Sequence, residues 1–322
     1  MQSEDNIAIF HTAPRLGDLL IHMDIYFSIY KNTNKKIIFI CGNKELANII
    51  LGKFYFIEHI IEFKINKSLK KVIDFCKFFS LKKKFHIKEI YIIEKNINPV
   101  IFAYFTNIKN IYSFGLKKIQ TLFINNKKIH PKFINEVEYD LAYAFLNVLK
   151  FNYYQLNFTY KSEITNSLFL CNHASDEKRK WPKKNFKYLI SKIINQDKNI
   201  KLFLNISSND FNEIKSLFPM NVELTIGLSL VKLIEVIKKC RFVFSIDTGP
   251  SHLSLRLSKK TYVIFSSTIP QKYSDKLFPI ISDKIINKNK LQIRNNFSSD
   301  ISVEKVWDSI KHEFNRRDVR VV

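Results

Sequence analysis

Short apolar runs alternate with helix-period segments along most of the chain, and that alternation admits few folds. In the N-terminal half, NIAIFH (6–11), KKIIFICG (35–42), HIIEF (59–63), KEIYIIE (88–94) and IKNIYSF (108–114) are strand-length runs rich in Ile, Phe and Tyr. Between them, apolar residues at 19, 20, 23, 26, 27 and 30 follow the period of one helix over 17–32. KELANIILG (44–52) reads as a short helix ending at Gly52. Further helices are expected at 67–80 and 98–106, and a longer one over 135–152. Strands alternating with helices predict βαβ units and a mostly parallel sheet.

A polar stretch, NFTYKSEITN (157–166), interrupts the pattern, which then restarts. SLFLCNHAS, IKLFLNIS, VELTIG, RFVFSI and TYVIFSST read as strands. NFKYLISKIINQ, DFNEIKSLF, SLVKLIEVIKKC and VEKVWDSIKHEFN (303–315) read as helices. Two consecutive doubly wound α/β units are expected, residues 1–157 and 158–302, followed by a helix and tail over 303–322. A chain of 322 residues is long enough to bury two cores.

Composition narrows the function classes. At 46% hydrophobic residues the chain is too apolar to be disordered. It has no apolar run of the roughly 18 residues that a membrane-spanning helix needs. MQSEDNIAIF is acidic and lacks the basic start of a signal peptide. The four cysteines are scattered without a Cys-x-x-Cys pair, which speaks against a zinc site or disulfide framework and fits a reducing cytoplasm. The net charge of +23 is carried mostly by Lys, since only eight of the 52 basic residues are Arg. Such a charge fits a solvated lysine surface. It fits equally an anionic partner: a membrane face, a phosphorylated glycolipid or nucleic acid. No helix-turn-helix, zinc finger or aromatic RNA-binding signature supports the last of these.

Three strand ends carry unusual chemistry. FSIDTGPSHLSLRL (244–257) ends an apolar run in small polar residues and opens a helix. Pro250 suits a first helical turn and Gly249 lets the backbone approach a ligand closely. The exposed N–H groups and helix dipole there favour an anion, with Thr248, Ser251 and His252 as further donors. The same residues fit a plain helix cap, with His252 on the surface. HTAPRLGDLL (11–20) places Asp18 in a first helical turn, either as a dipole-stabilised acid or as a general base. NHASDEKRKWPKKNF (172–186) sets Lys178, Arg179 and Lys180 before Trp181-Pro182. These cations suit a diphosphate, or belong to the general lysine background.

Taken together, these junctions resemble the lipopolysaccharide heptosyltransferases, glycosyltransferase family 9. The resemblance rests on Gly17-Asp18 after the first strand, the Lys/Arg stretch before Trp181-Pro182, and Asp247-Thr248-Gly249-x-x-His252-Leu253. VIFSSTIP (263–270) is similar to the family's strand and loop ending in Thr-x-Pro. The likeness spans roughly residues 6–280. It implies a GT-B fold, two Rossmann-like domains facing a cleft, the first binding acceptor and the second a nucleotide-sugar donor. The implied reaction moves heptose from an ADP-activated donor to a growing lipopolysaccharide core, with inversion, without an essential metal and with no cofactor. By motif position, Asp18 would be the base on the acceptor hydroxyl. Arg179 and Lys180 would hold the donor diphosphate, and Asp247 the donor sugar. Thr248, Gly249 and His252 would line the phosphates. Arg15 and Gly17, beside the base, would meet the acceptor.

A nucleotide-sugar epimerase or a non-catalytic sugar-nucleotide binder of the same fold remain alternatives. The segment KSLKKVIDFCKFFSLKKKFHIKEI (67–90) interleaves Lys with apolar residues. It reads as a helix packed on the sheet with Lys outward, or as a face touching the anionic inner leaflet near a lipid-linked acceptor.

Overall fold

The computed structural model describes residues 6–12, 15–65, 71–94, 98–114, 129–130, 145–147, 149–156, 158, 163–266, 270, 274–282 and 298–315. The chain divides into two compact units, Met1–Leu156 and Asn157–Val322.

The N-terminal unit is built on β1 (Asn6–His11), β2 (Ile37–Cys41), β3 (Ile57–Glu62), β4 (Ile87–Ile92), β5 (Asn110–Phe114) and β6 (Ile129–His130). They pair in parallel in the order β3-β2-β1-β4-β5-β6. β2 is buried along its whole length and β1 at every residue but its first, so their sequences are nearly continuous apolar runs. The edge strand β3 exposes Glu58, His59 and Glu62. Ala8, Phe10, Ile38, Ile40, Ile90 and Ile92 build one core with Phe78 and Phe102. The last two come from helices α4 (Lys71–Lys84) and α5 (Asn98–Phe105). The other helices are α1 (Leu16–Ile21), α2 (Met23–Thr33) and α3 (Lys44–Leu51).

The helix expected over 17–32 is two helices. The His22 ring Nδ1–H donates to the Asp18 carbonyl at 2.8 Å. His22's main-chain N–H goes to Leu20 instead, and its φ/ψ of −88/0 lies outside the helix. A side chain thus takes the carbonyl that the next turn would have used. Along α2, Asp24, Ser28 and Asn32 form a polar stripe at four-residue spacing. It binds the chain at 152–156 through Leu156 N–H to Asp24 (2.8 Å), Tyr154 N–H to Ser28 (2.8 Å) and Asn152 N–H to Asn32 (2.9 Å). Of the helix expected over 135–152, residues 145–147 are helical and 149–152 are not. The rest lies outside the described residues.

The C-terminal unit repeats the plan. Its strands are β7 (Ser167–Cys171), β8 (Lys201–Asn205), β9 (Val222–Leu224), β10 (Val243–Ile246), β11 (Thr261–Phe265) and β12 (Leu277–Ile281). They are parallel, in the order β12-β11-β10-β7-β8-β9. Helices α6 (Lys183–Gln196), α7 (Ser208–Leu217), α8 (Leu230–Lys239), α9 (Gly249–Arg256) and α10 (Val303–Ile310) complete it. Ser207, Ser229 and Ser302 each cap a helix by accepting an N–H of its first turn. Val303, Val306 and Ile310 of α10 are buried in the same core as Leu189 and Ile193 of α6. The sequence pattern did not predict β12, because LFPII carries Pro279 at its centre. Proline removes a ladder donor and is confined to edge strands, and β12 is an edge.

Numbered from its own first strand, each sheet has the order 3-2-1-4-5-6. Each therefore reverses direction once, between β1 and β4 and between β7 and β10.

Candidate active site

Open parallel sheets bind ligands beyond the carboxyl ends of their strands, where the order reverses. In the C-terminal unit two of the unusual strand ends meet there. Ser245 of β10 pairs with Cys171 of β7. Asp247 and Thr248 therefore leave one strand beside Asn172 and His173 leaving the other. Cys171 Sγ lies 3.7 Å from Thr248 Oγ1, and burial pushes its thiol pKa up, so it stays protonated. Thr248 is extended at φ/ψ −150/173, and Gly249 begins α9. Ser251 Oγ accepts the Thr248 N–H at 3.3 Å and donates to the Thr248 carbonyl at 2.7 Å. Ser251 is thus committed to starting the helix. His252 is buried rather than on the surface, with Nε2 3.4 Å from the Asp247 carboxylate.

The basic loop is held to both strands. After β7 comes a short 3-10 turn, Glu177–Arg179, then Lys180, Trp181 and Pro182 before α6. Asn172 clamps the Trp181 backbone from both sides. Its Nδ2 donates to the Trp181 carbonyl at 2.9 Å, and its Oδ1 accepts the Trp181 N–H at 2.8 Å. The buried indole packs edge-on against Phe244 of β10 at 5.8 Å, and its Nε1–H donates to Ile301 at 2.9 Å. The sequence gave no reason to single out Asn172. Its one signal was a polar side chain at the end of an apolar strand.

The cations of this loop are not equivalent. Lys180 Nζ lies 2.5 Å from Glu177. Lys183 reaches Asp210 at 2.5 Å and Glu213 at 2.8 Å. Burial pushes the Asp210 carboxyl up, but Lys183 and the Ser207 hydroxyl outweigh it and leave it below its ordinary value. Arg179 forms no salt bridge among the described residues, so its planar fork is the cation left for an anionic ligand. The neighbouring end of β8 offers Asn205, whose Nδ2 lies 3.3 Å from Thr225 Oγ1. Residues 267–269, within the Thr-x-Pro loop, lie outside the described residues.

At the switch point of the N-terminal unit, β1 runs into Thr12 and then α1. Arg15, Gly17 and Asp18 share one turn, Arg15 exposed and Asp18 half-buried. Behind them the His22 ring meets His11 edge-on at 4.9 Å. Burial, with His22 as the lesser cause, holds His11 well below the usual histidine pKa. Across the switch point, Thr12 donates to Glu94 Oε2 through its N–H at 2.8 Å and its hydroxyl at 2.6 Å. Burial raises the Glu94 pKa and the two Thr12 bonds oppose that rise. The other oxygen, Oε1, is buried without a protein hydrogen bond. At the end of β2, a Cβ on Gly42 would stand 2.3 Å from the Thr12 carbonyl, so only glycine fits there.

Two doubly wound units in one chain, each with its polar residues gathered at the strand-order reversal, define a GT-B type glycosyltransferase. The sequence model of glycosyltransferase family 9 (heptosyltransferase) matches residues 136–307, more than half of the chain, and the chain belongs to that family. No curated protein matches the sequence. Among solved structures, E. coli heptosyltransferase WaaC with ADP aligns with a TM-score of 0.73 at 15% identity, over 96% of this chain and 99% of that one. A family 9 glycosyltransferase from Veillonella parvula gives 0.72 at 13% identity, over 98% and 99%. E. coli ADP-heptose lps heptosyltransferase II gives 0.69 at 13% identity, over 96% and 98%. At these identities the likeness establishes the fold.

Proposed function

We propose that this glycosyltransferase moves heptose from ADP-heptose onto a lipopolysaccharide core or related surface-glycan acceptor, with inversion and without an essential metal. One observation carries the donor side: the Asp247–His252 helix start and the Arg179 loop lie at the same strand-order reversal. Solved relatives of the same fold hold ADP or an ADP-heptose analogue. In this reading the α9 N-terminus receives the donor phosphates at Thr248 and Gly249. Arg179 and Lys180 neutralise the diphosphate as it leaves, the charge stabilisation that dominates many active sites. Asp247, oriented by His252, accepts from hydroxyls of the donor sugar. The acceptor, placed by Arg15 and the Gly17 turn, is deprotonated by Asp18 as its oxygen bonds to the anomeric carbon. The C–O bond to the diphosphate breaks on the opposite face, and one displacement inverts the centre.

A panel of nucleotide sugars in a thermal-shift assay, then mass spectrometry with truncated lipopolysaccharide, tests this reading. ADP-heptose should give the largest shift, because a ligand bound only to the folded state stabilises it by mass action. A larger shift with another nucleotide would replace the donor. Donor consumption without acceptor, giving an epimerised sugar, would replace transfer with epimerisation. Arg179→Ala should weaken ADP-heptose binding about 10- to 100-fold by calorimetry, as expected for losing a charge-assisted contact of about 1.5–3 kcal/mol. Arg179→Lys should recover part of the loss.

The proposal extends to the cytoplasmic face of the inner membrane. No helix among the described residues is long and apolar enough to cross a membrane. On α4, however, Val72, Ile73 and Phe79 are exposed beside Lys77, Lys83 and Lys84. That face suits peripheral contact with anionic lipid. Co-sedimentation with anionic vesicles should exceed that with neutral ones and fall with added salt. Equal partition onto both would remove the electrostatic part of the idea.

A further inference from the structure

The donor and acceptor roles above leave one buried charged group at a switch point unused. Glu94 lies two residues beyond β4 and is joined to Thr12, at the end of β1, across the strand-order reversal. Both Thr12 donors go to the same oxygen, Oε2, which fixes the orientation of the carboxylate. Thr12 is itself immobilised, with its carbonyl packed against Gly42. The remaining oxygen, Oε1, is buried with no protein donor. Such an atom is costly unless something donates to it. No Lys or Arg is among the groups that shift the Glu94 ionisation; only burial and Thr12 are. The complement of this oxygen is therefore a neutral donor, and a sugar hydroxyl is one.

We propose that Glu94 is an acceptor-recognition residue whose Oε1 accepts a hydrogen bond from a hydroxyl of the glycan acceptor. This rests on the reading that the N-terminal unit binds acceptor, and it adds a named contact and its polarity to that reading. The location agrees with it. Thr12, which holds Glu94, leads directly into the turn bearing Arg15, Gly17 and Asp18. A carboxylate fixed through one oxygen and offering the other discriminates among polyhydroxylated ligands by the direction of the hydrogen bond, which an apolar wall cannot do.

The test is Glu94→Gln in the full chain, assayed with ADP-heptose and a deacylated lipopolysaccharide core oligosaccharide. Glutamine keeps an oxygen for the Thr12 donors and puts an NH2 where Oε1 stood, turning an acceptor into a donor. The acceptor KM should rise at least about tenfold, with donor Kd and Tm at wild-type values. Thr12→Val, which removes one of the two bonds fixing Oε2, should raise the acceptor KM in the same direction by less. An acceptor KM within about twofold of wild type in Glu94→Gln would overturn the assignment. So would equal losses in donor affinity and Tm, which mark a merely structural tie between β1 and β4. Absence of transfer by the wild-type enzyme would be a separate failure, of the functional reading itself, and the Glu94 assignment would fall with it.

Discussion

Asp18→Ala is expected to lower kcat by about 10²- to 10⁴-fold, the range for removing a positioned general base, while ADP-heptose affinity stays within about twofold. The split follows from where Asp18 stands. It belongs to the N-terminal unit, on the first turn after β1, whereas the residues assigned to the donor lie in the C-terminal unit. Asp18→Asn is the companion variant. It keeps the size of the side chain and its place in the helical turn, and removes only the capacity to take a proton. Single-turnover transfer measured by mass spectrometry, alongside calorimetric donor binding, reads both quantities. Undiminished turnover in either variant would refute the base assignment. A loss of donor binding equal to the loss of rate would make Asp18 a structural residue.

Trp181→Ala should cost about 3–5 kcal/mol of stability in the C-terminal unit, as for other large buried aromatics. The indole fills space against Phe244, and its N–H satisfies the Ile301 carbonyl, so truncation leaves both a cavity and an unpaired buried acceptor. Trp181→Phe keeps most of the packing and should cost about 1–2 kcal/mol, the value of the lost hydrogen bond and its orphaned partner. Urea unfolding followed by the fluorescence of Trp307, which packs against the same core, reports the transition without the mutated residue. The variants should also bind donor more weakly than their stability alone explains, because Trp181 fixes the residue next to Lys180. A wild-type midpoint for Trp181→Ala would show that the loop is not anchored there.

Much of the architecture was readable because both sheets are parallel and covered on both faces. Runs such as IIFIC and SLFLC are then apolar at every position and stand out from their surroundings. β12 was not readable, since Pro279 breaks the strand pattern and only its edge position makes the proline tolerable. The break at His22 was also hidden, because it depends on a side chain competing for the Asp18 carbonyl. At the candidate site, the DTGPSH junction was conspicuous in a chain with six glycines. The basic loop was conspicuous too, but its charge was overcounted. Glu177 takes up Lys180, while Asp210 and Glu213 take up Lys183, and those acids lie on the same turn or on another helix. Glu94 left no trace in the local pattern, because its significance depends on Thr12, 82 residues away. Strand ends far apart in sequence become neighbours only once the strand order is known.

The margins of the two sheets bear on how such a chain stays dispersed. Its Ile- and Phe-rich strands are the kind that add to one another when an open edge is offered. β6 is two residues long, β9 is three, β3 turns charged side chains outward, and β12 has a proline at its centre. None of the four margins presents a long, flat, fully donating strand for a second molecule to extend. A protein that works at high local concentration near a surface is thereby protected from stacking into fibrils, and the residue that hid β12 from sequence reading contributes to that protection.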